Sequence, residues 1–419
     1  MNSEDRAFLT GLFDAAVQAA DPQAALAAHL PERPRGRTVV VGAGKGAAQL
    51  AAAFEGLWQG PVSGVVVTRY GYGCETEHIR VMEAAHPVPD EPGLAASAAL
   101  LEAVSGLTED DLVIALVCGG GSALLPAPPG DLTLADEQDL NRALLASGAP
   151  ISVMNAIRAQ VSDIKAGRLA QAAAPARVVS LIVSDVPGDD PSQVASGPTV
   201  PGTLSREQAR TLVRNWRIEL PPKVADWLAG DAGLPPDAAD PVFARNEVRV
   251  IASAGISLEA AAARAEAAGI PAVILSDAIE GEAREIARMH AAIAREVATR
   301  SRPFEAPVVI LSGGETTVTL RGEGRGGRNS EFLLSLALAS EGLPFAALAA
   351  DTDGIDGSES NAGAFTDGAA MARLREAGSD PLALLADNDA YTAFERLGDL
   401  FAPGPTGTNV NDFRAILIR

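Results

Sequence analysis

Cysteine is almost missing: Cys74 and Cys118 are the only two in 419 residues, without the CxxC spacing of a zinc or redox site. Free thiols in a reducing compartment are therefore expected in place of a disulfide. Histidine is scarce too, and its four scattered copies (His29, His78, His86, His290) argue against a zinc enzyme. Positive charge is in deficit, 33 Lys and Arg against 54 Asp and Glu, for a net charge of −21 and a pI near 4.6. Such a mean field repels phosphate, so neither nucleic acid nor a membrane surface is an expected partner, and any anionic ligand needs a local basic site. Long apolar runs are lacking as well. The longest uncharged stretch, Leu112 to Gly130, nearly reaches membrane-spanning length, but three consecutive glycines and three prolines break it into a buried strand and a loop. The first residues, MNSEDRAFLTGLFDAAVQAA, lack the basic-then-apolar pattern of a signal peptide, and a cytoplasmic location is expected.

What is present is a recurring unit: a β-branched run, a glycine- or acid-rich turn, and an alanine-rich helical stretch, the signature of βα layering. Strands are expected at Thr38–Val41, Val62–Thr68, Ile79–Ala84, Leu112–Val117 and Val178–Val183, with helices at 47–57, 93–105 and Val153–Ala173. On that last helix Arg158 and Lys165, and Asn155 and Ser162, would share faces. The stretch Pro221–Ala244 reads as a connection. Beyond it come strands at Val248–Ala252, Ala272–Leu275, Val308–Leu311 and Phe345–Ala350, helices at 257–268 and 281–299, and a last strand in NVNDFRAILI. Val318–Leu320 reads as a strand pairing with 308–311. The chain is longer than one core usually organises, so two domains are expected, 1–240 and 241–419, with a cleft between them.

Five segments carry chemistry. VVVGAGKGAAQLAAAF (39–54) is a strand, a glycine turn and a helix; Gly42-x-Gly44-x-x-Ala47 loosely fits a dinucleotide fingerprint, while Lys45 suits a phosphate or carboxylate clamp. LVCGGGSALLPAP (116–128) sets Gly120, Gly121 and Ser122 at the carboxyl end of an apolar strand as a candidate anion nest. LIVSDVPGDDPSQVASGPT (181–199) delivers Asp185, Asp189 and Asp190 into a proline-braced loop, placed for magnesium or for accepting a hydroxyl proton. LSGGETTVTLRGEGRGGRNSEF (311–332) packs Arg321, Arg325 and Arg328 among glycines. Anion binding is favoured there over plain pairing with Glu315, Glu323 and Glu331. AADTDGIDG (349–357) adds Asp351, Asp353 and Asp356; Ala362 stands at the twelfth position from Asp351, where a calcium EF-hand needs Glu. GxxxxGK[ST] is absent, and His86, alone before a proline in HPVPDEPG, reads as a structural or surface residue.

Taken together and in order, GAGKGA, CGGGSALLPAP, SGAPI…N…R…IKAGRLA, SDVPGDDPSQVASGPT and GGETTVTLRGEGRGGRNSE…DTDGIDG…AGAFTDG…GPTGTNVNDF resemble the type II glycerate kinase family, whose C-terminal part is the MOFRL domain. The match covers nearly the whole chain. It implies a Rossmann-like parallel-sheet N-terminal domain and a smaller α/β C-terminal domain containing the MOFRL region at about 306–415. The implied activity is ATP-dependent phosphorylation of D-glycerate at its 2-hydroxyl, with ATP and Mg2+ as cofactors. Carried onto matching positions, Lys45, Asp185 or Asp189, and Arg328 (preferred to Arg325) are catalytic. Gly44, Gly120, Gly121, Ser122, Asn155, Arg158 and Arg325 would bind substrate or phosphate. Gly313, Gly314, Glu315, Asn329, Asp351, Asp353, Gly354, Asp356, Asn409 and Asn411 would bind nucleotide, and Asp189 and Asp353 are metal candidates. A homodimer is compatible with the resemblance. Departures are Gly46 where many relatives have Ala, no basic pair after Arg158, KAG for a double-glycine form at 165–167, and Pro403 where Thr is common. Two rivals remain: an NAD(P)H-dependent hydroxypyruvate reductase, drawing on the fingerprint and Arg69, and a non-catalytic nucleotide- or sugar-acid-binding regulator.

Overall fold

The computed structural model describes residues 1–202 and 204–419, and the chain forms two compact units: Pro22–Ile251, and Met1–Asp21 together with Ala252–Arg419. The first helix, Ser3–Ala19, joins the unit that holds the C-terminal residues. Its apolar stripe of Leu9, Leu12, Phe13 and Ala16 packs with Leu258 and Ala261 of the helix Ala254–Ala267 on one face of the second sheet. An amphipathic helix must bury its stripe, but nothing local in its sequence says against which sheet.

In the unit 22–251, strands β1 (Thr38–Ala43), β2 (Ser63–Arg69), β3 (Ile79–Ala84), β4 (Leu112–Cys118), β5 (Arg177–Val183) and β6 (Glu247–Ala252) form one sheet in the order β3-β2-β1-β4-β5-β6. The register of β1 on β2 and β4, of β2 on β3, and of β4 on β5 is parallel. β1 and β4 are buried on both faces, which is why they read as uninterrupted Val, Ile and Leu. In this doubly wound order the connections leave in opposite directions on either side of the β1–β4 pair, and a crevice opens at the strands' carboxyl ends there.

Two readings of this unit are corrected. The helix Ile151–Gln160 stops at Gln160 instead of running to Ala173. Ser162 Oγ accepts the N–H groups of Ile164 (3.3 Å) and Lys165 (3.2 Å), and Ala166 and Gly167 take left-handed backbone, so a turn replaces two helical turns before Arg168–Ala172. Lys165 and Arg158 thus share no helix face: Lys165 is buried against Glu137 (3.0 Å). The supposed connection 221–244 contains the helix Pro222–Ala229, with Pro222 in its first turn and Val224 and Leu228 packed against Leu140, Leu144 and Ile157.

The second unit holds β7 (Ala272–Ile274), β8 (Gly281–Glu282), β9 (Val308–Gly314), β10 (Thr316–Thr317), β11 (Phe345–Asp351), β12 (Gly363–Asp367), β13 (Leu400–Phe401) and β14 (Asp412–Ile418). Six of them form a mixed sheet, β13-β12-β11-β14-β9-β7. Along β11, Phe345, Ala347 and Ala349 face the helices Ala283–Arg300 and Arg328–Ala339, while Ala346, Leu348 and Ala350 face the first helix, the period of two expected of a strand covered on both sides. Residues 318–320 are not a strand. β9 instead pairs with β14 and β7, and its continuation forms only the short β10 bridge to β8.

Candidate active site

At the carboxyl ends of β1, β4 and β5 the chain builds a compact corner. After β1, the Lys45 N–H donates to the Gly119 carbonyl (2.9 Å) and the Lys45 carbonyl accepts from Thr68 Oγ1 (3.0 Å), tying the first glycine turn to the β4 turn and the end of β2. Gly44 is buried, with φ of +133°, against the Cys118 carbonyl, where a Cβ would fall 2.4 Å from the oxygen. Its glycine identity is thus explained by β4, as is that of Gly42, whose Cβ would lie 2.4 Å from the Leu116 carbonyl oxygen.

The next loop carries the convergence. A Cβ on Gly119 would sit 2.0 Å from Asp185 Oδ2, so the Asp185 carboxylate, delivered by β5, lies directly on that backbone. A Cβ on Gly120 would meet Lys45 Cε at 3.1 Å and His86 Nε2 at 3.2 Å, so an ammonium chain and an imidazole close on the adjacent residue. Gly121 packs against Ala195, and Ser122 Oγ shares a 2.8 Å hydrogen bond with Ser196 Oγ. Ala195 and Ser196 hold left-handed backbone, a strain that marks this turn as fixed by its surroundings. Asp189 stays in its own turn, its N–H donating to the Val186 carbonyl (3.1 Å).

Next to the 193–196 turn, Asn155 Nδ2 donates to the Gln193 carbonyl (3.3 Å) and Asn155 Oδ1 accepts from Arg158 Nη1 (3.0 Å), while Arg158 Nε donates to Asn141 Oδ1 (2.7 Å). Both partners of this guanidinium are neutral, and among the described residues no carboxylate lies within ion-pair distance. Burial pulls its pKa below the usual arginine value, against the more distant charge of Glu137. A half-buried cation held by amides is an arrangement that favours an incoming carboxylate or phosphate. Lys165 and Arg168, by contrast, are consumed internally, Arg168 by the carbonyls of Ala159, Lys165 and Gly233.

In the other unit, Arg328 opens the helix Arg328–Ala339 and is surrounded by acid. Its Nε donates to Asp412 Oδ1 (2.6 Å), its Nη2 to Asp351 Oδ2 (2.6 Å) and its Nη1 to Glu315 Oε1 (3.3 Å). Burial opposes the charge, but Asp412 and Asp351 outweigh it and raise the pKa. Burial likewise pushes Asp351 well above the carboxylate range, Arg328 pulling it down and Asp353 and Asp412 pushing it up. Asp356 caps the helix, accepting the N–H groups of Asn329 (2.9 Å) and Ser330 (2.8 Å). Asp353 takes the Ile355 N–H (2.8 Å) and Asn409 Nδ2 (3.4 Å), Asn409 in turn accepts the Asn411 N–H (3.0 Å), and Gly354 lies against the Gly404 carbonyl. Gly313 and Gly314 end β9, where segment 276–279 runs alongside them. Arg325 is half exposed, its guanidinium 4.5 Å from the Tyr391 ring centre and facing Glu395 (3.5 Å) and Glu359 (3.7 Å). Glu331 belongs to Arg284 (2.7 Å), not to the arginines of its own loop.

Two members of these constellations were not expected from the sequence: His86, read there as a structural or surface residue, and Asp412, not singled out at all. Asp412 is fully buried and also accepts Asn329 Nδ2 (2.8 Å), the Thr316 N–H (3.1 Å) and Arg414. A charged residue opening the mostly apolar strand DFRAILI was its only signal. Among the described residues no group of three His, Cys, Asp or Glu side chains is arranged to hold a metal, and no helix is long and apolar enough to cross a membrane.

Comparison with known proteins matches residues 8–229 to a family described as "Domain of unknown function (DUF4147)" and residues 308–412 to the "MOFRL family". A protein of Agrobacterium vitis named "Putative hydroxypyruvate reductase" is 52% identical over 99% of this chain and 94% of its own length. The D-glycerate 2-kinase of Thermotoga maritima is 38% identical over 94% of both chains, and the glycerate 2-kinase of Pyrococcus horikoshii 38% identical over 90% of this chain and 86% of its own. The crystal structure of a glycerate kinase from Thermotoga maritima superposes with a TM-score of 0.91, at 35% identity and full coverage of both chains.

Proposed function

The chain belongs to the glycerate kinase family that joins a DUF4147 region to a MOFRL region, and from that premise we propose that it transfers the γ-phosphoryl group of ATP to the 2-hydroxyl of D-glycerate. The observation that carries this reading is the convergence on Gly119 and Gly120, where a carboxylate (Asp185) and an ammonium chain (Lys45) meet at the switch point of the parallel sheet. Asp185, rather than Asp189, accepts the hydroxyl proton as the oxygen attacks. Lys45 neutralises charge on the transferred group, and Arg158, with its neutral partners, holds an acidic group of the substrate. Phosphoryl transfer asks for little more from a protein than such positioning and neutralisation.

ATP with magnesium supplies the phosphoryl group and part of the neutralising charge. The residues fit such a donor in one respect: Lys45 brings a cation to the Gly119–Ser122 turn at the carboxyl end of β4, where it would neutralise phosphate charge. Asp189 and Asp353 stay metal candidates only as single carboxylates. A cytoplasmic location belongs to the same proposal.

The name of the Agrobacterium vitis relative raises the reductase as a second reading. Its main support in the sequence, the Gly42-x-Gly44 turn, is accounted for by the backbone of β4. A coupled assay with D-glycerate and MgATP that resolves 2- from 3-phosphoglycerate is the test: formation of 2-phosphoglycerate is expected. NADPH oxidation by hydroxypyruvate in the absence of ATP, with no phosphorylated product in the first assay, would replace this reading with the second.

A further inference from the structure

His86 follows β3 and reaches the same corner from the opposite side to Asp185. Its Nε2 lies 3.2 Å from the point where a Cβ on Gly120 would sit, and Lys45 Cε lies 3.1 Å from that point, so the two side chains close on one patch of backbone. The loop that presents it is braced. Asp90 Oδ1 accepts the N–H groups of Ala85 (3.2 Å) and Gly93 (3.1 Å), Asp90 Oδ2 accepts Tyr70 Oη (2.7 Å), and Gln138 Nε2 donates to the Pro89 carbonyl (2.7 Å). The imidazole itself is half-buried and, among the described residues, makes no hydrogen bond. A rigidly presented polar ring with no protein partner, facing a lysine, is what a ligand-contacting group looks like before the ligand arrives.

Its charge state fits that role. Burial, with Lys45 and Arg69 adding repulsion, pulls the His86 pKa down to about 4, so the ring is neutral at neutral pH. A neutral imidazole donates from one nitrogen and accepts at the other, which suits the hydroxyl and carboxylate oxygens of a small hydroxy acid without placing a further cation beside Lys45.

We propose that His86 is a substrate-contacting residue of the phosphoryl-acceptor site, its Nε2 hydrogen-bonding the hydroxy acid beside Lys45 and orienting it toward Asp185. This rests on the kinase reading given above. The test compares His86→Ala and His86→Gln with the parent enzyme. The loss of one substrate hydrogen bond is expected to raise KM for D-glycerate about tenfold in His86→Ala, with KM for MgATP and the melting temperature nearly unchanged. His86→Gln, whose amide still donates, recovers part of the loss. Unchanged kinetics in both variants, or a loss that falls equally on both substrates and on the melting temperature, overturns the proposal. Failure of the kinase reading is told apart by the parent, which would then give no 2-phosphoglycerate. In that event the imidazole NMR resonances missing from the His86→Gln spectrum are followed as D-glycerate is added. A shift supports the contact, and no shift rejects it.

Discussion

Gly119→Ala isolates Asp185 without removing it. The new methyl would fall 2.0 Å from Asp185 Oδ2, 2.1 Å from Cγ and 2.7 Å from Cβ, so contact reaches past the carboxylate to the root of the side chain. Rotation about χ1 carries Cγ and Oδ2 away, at roughly 0.5–1.5 kcal/mol if the side chain settles off a rotamer well, but leaves Cβ in place, so the backbone of one loop must also yield to relieve the 2.7 Å contact, an overpacking cost of about 1–3 kcal/mol. No φ penalty is added, because Gly119 is not among the residues in the left-handed region. Stability should therefore fall only by about that amount, equivalent to a melting shift of roughly 2–4 °C per kcal/mol for a unit of this size. Activity should fall much further. A general base carried out of reach forfeits on the order of 10²–10⁴ in rate, or roughly 2.7–5.4 kcal/mol of barrier. The assay is kcat for 2-phosphoglycerate formation alongside a thermal melt, with Asp185→Asn as the reference. A folded Gly119→Ala enzyme with near-parental kcat would refute the assignment of Asp185, and a collapsed melt would refute the argument that the loop tolerates the methyl by turning one side chain and yielding slightly in its backbone.

Two further outcomes concern groups away from the chemistry. Asp111 accepts the Arg37 N–H (2.6 Å) and Nη2 (2.9 Å) and the Thr108 N–H (2.8 Å), and the Arg37 side chain first, then these amides, hold its pKa below the ordinary 3.8. A depressed folded value gives stability that is present above 3.8 and lost as pH falls through the folded value. Asp111→Asn should therefore lower the melting temperature of the 22–251 unit by roughly 2–4 °C at pH 7 and by less at pH 3, and an equal gap at both would be the contrary result. Burial, with Asp185 adding repulsion, pushes the Cys118 thiol to about 12, so iodoacetamide at pH 8 should leave it unmodified in the native protein and modify it in urea, as a mass shift on its peptide would record. Native modification at a rate typical of a free thiol would show that the β1–β4 corner opens.

The parallel sheet was legible because β1, β4 and β5 are covered on both faces and must be apolar throughout, whatever lies around them. The helix break after Gln160 was not, because apolar residues continue at helical spacing while the chain is turned by distant partners: the Ala166 and Gly167 N–H groups donate to the carbonyls of Ser196 (3.0 Å) and Gly197 (2.8 Å). The same distinction separates the site residues. Lys45, Gly120 and Ser122 sit in turns whose composition is unusual on its own terms. His86 and Asp412 sit in ordinary-looking sequence and gain their meaning from strand order: β3 ends beside β2 at the sheet's crevice, and Asp412 is registered between Gly314 and Asp351. One-letter context carries the first kind of information and none of the second.

The arginine-rich loop needs the opposite correction of emphasis. Its glycines lie where the loop docks on its own unit, Gly322 and Gly324 on Asp387 and Gly327 on Asp356, so their spacing follows from packing and not from an approaching ligand. Arg328 is held by carboxylates on three sides, and a free anion would have to compete with Asp351 and Asp412 for it. Arg158 faces no such competition. If attraction for an anion is measured by the charge left uncompensated, Arg158, held by two asparagines in the 22–251 unit, exceeds Arg328. Of the three arginines that stand out in the sequence, Arg325 faces two glutamates and Arg328 three carboxylates, while Arg321 is exposed, where water screens its charge.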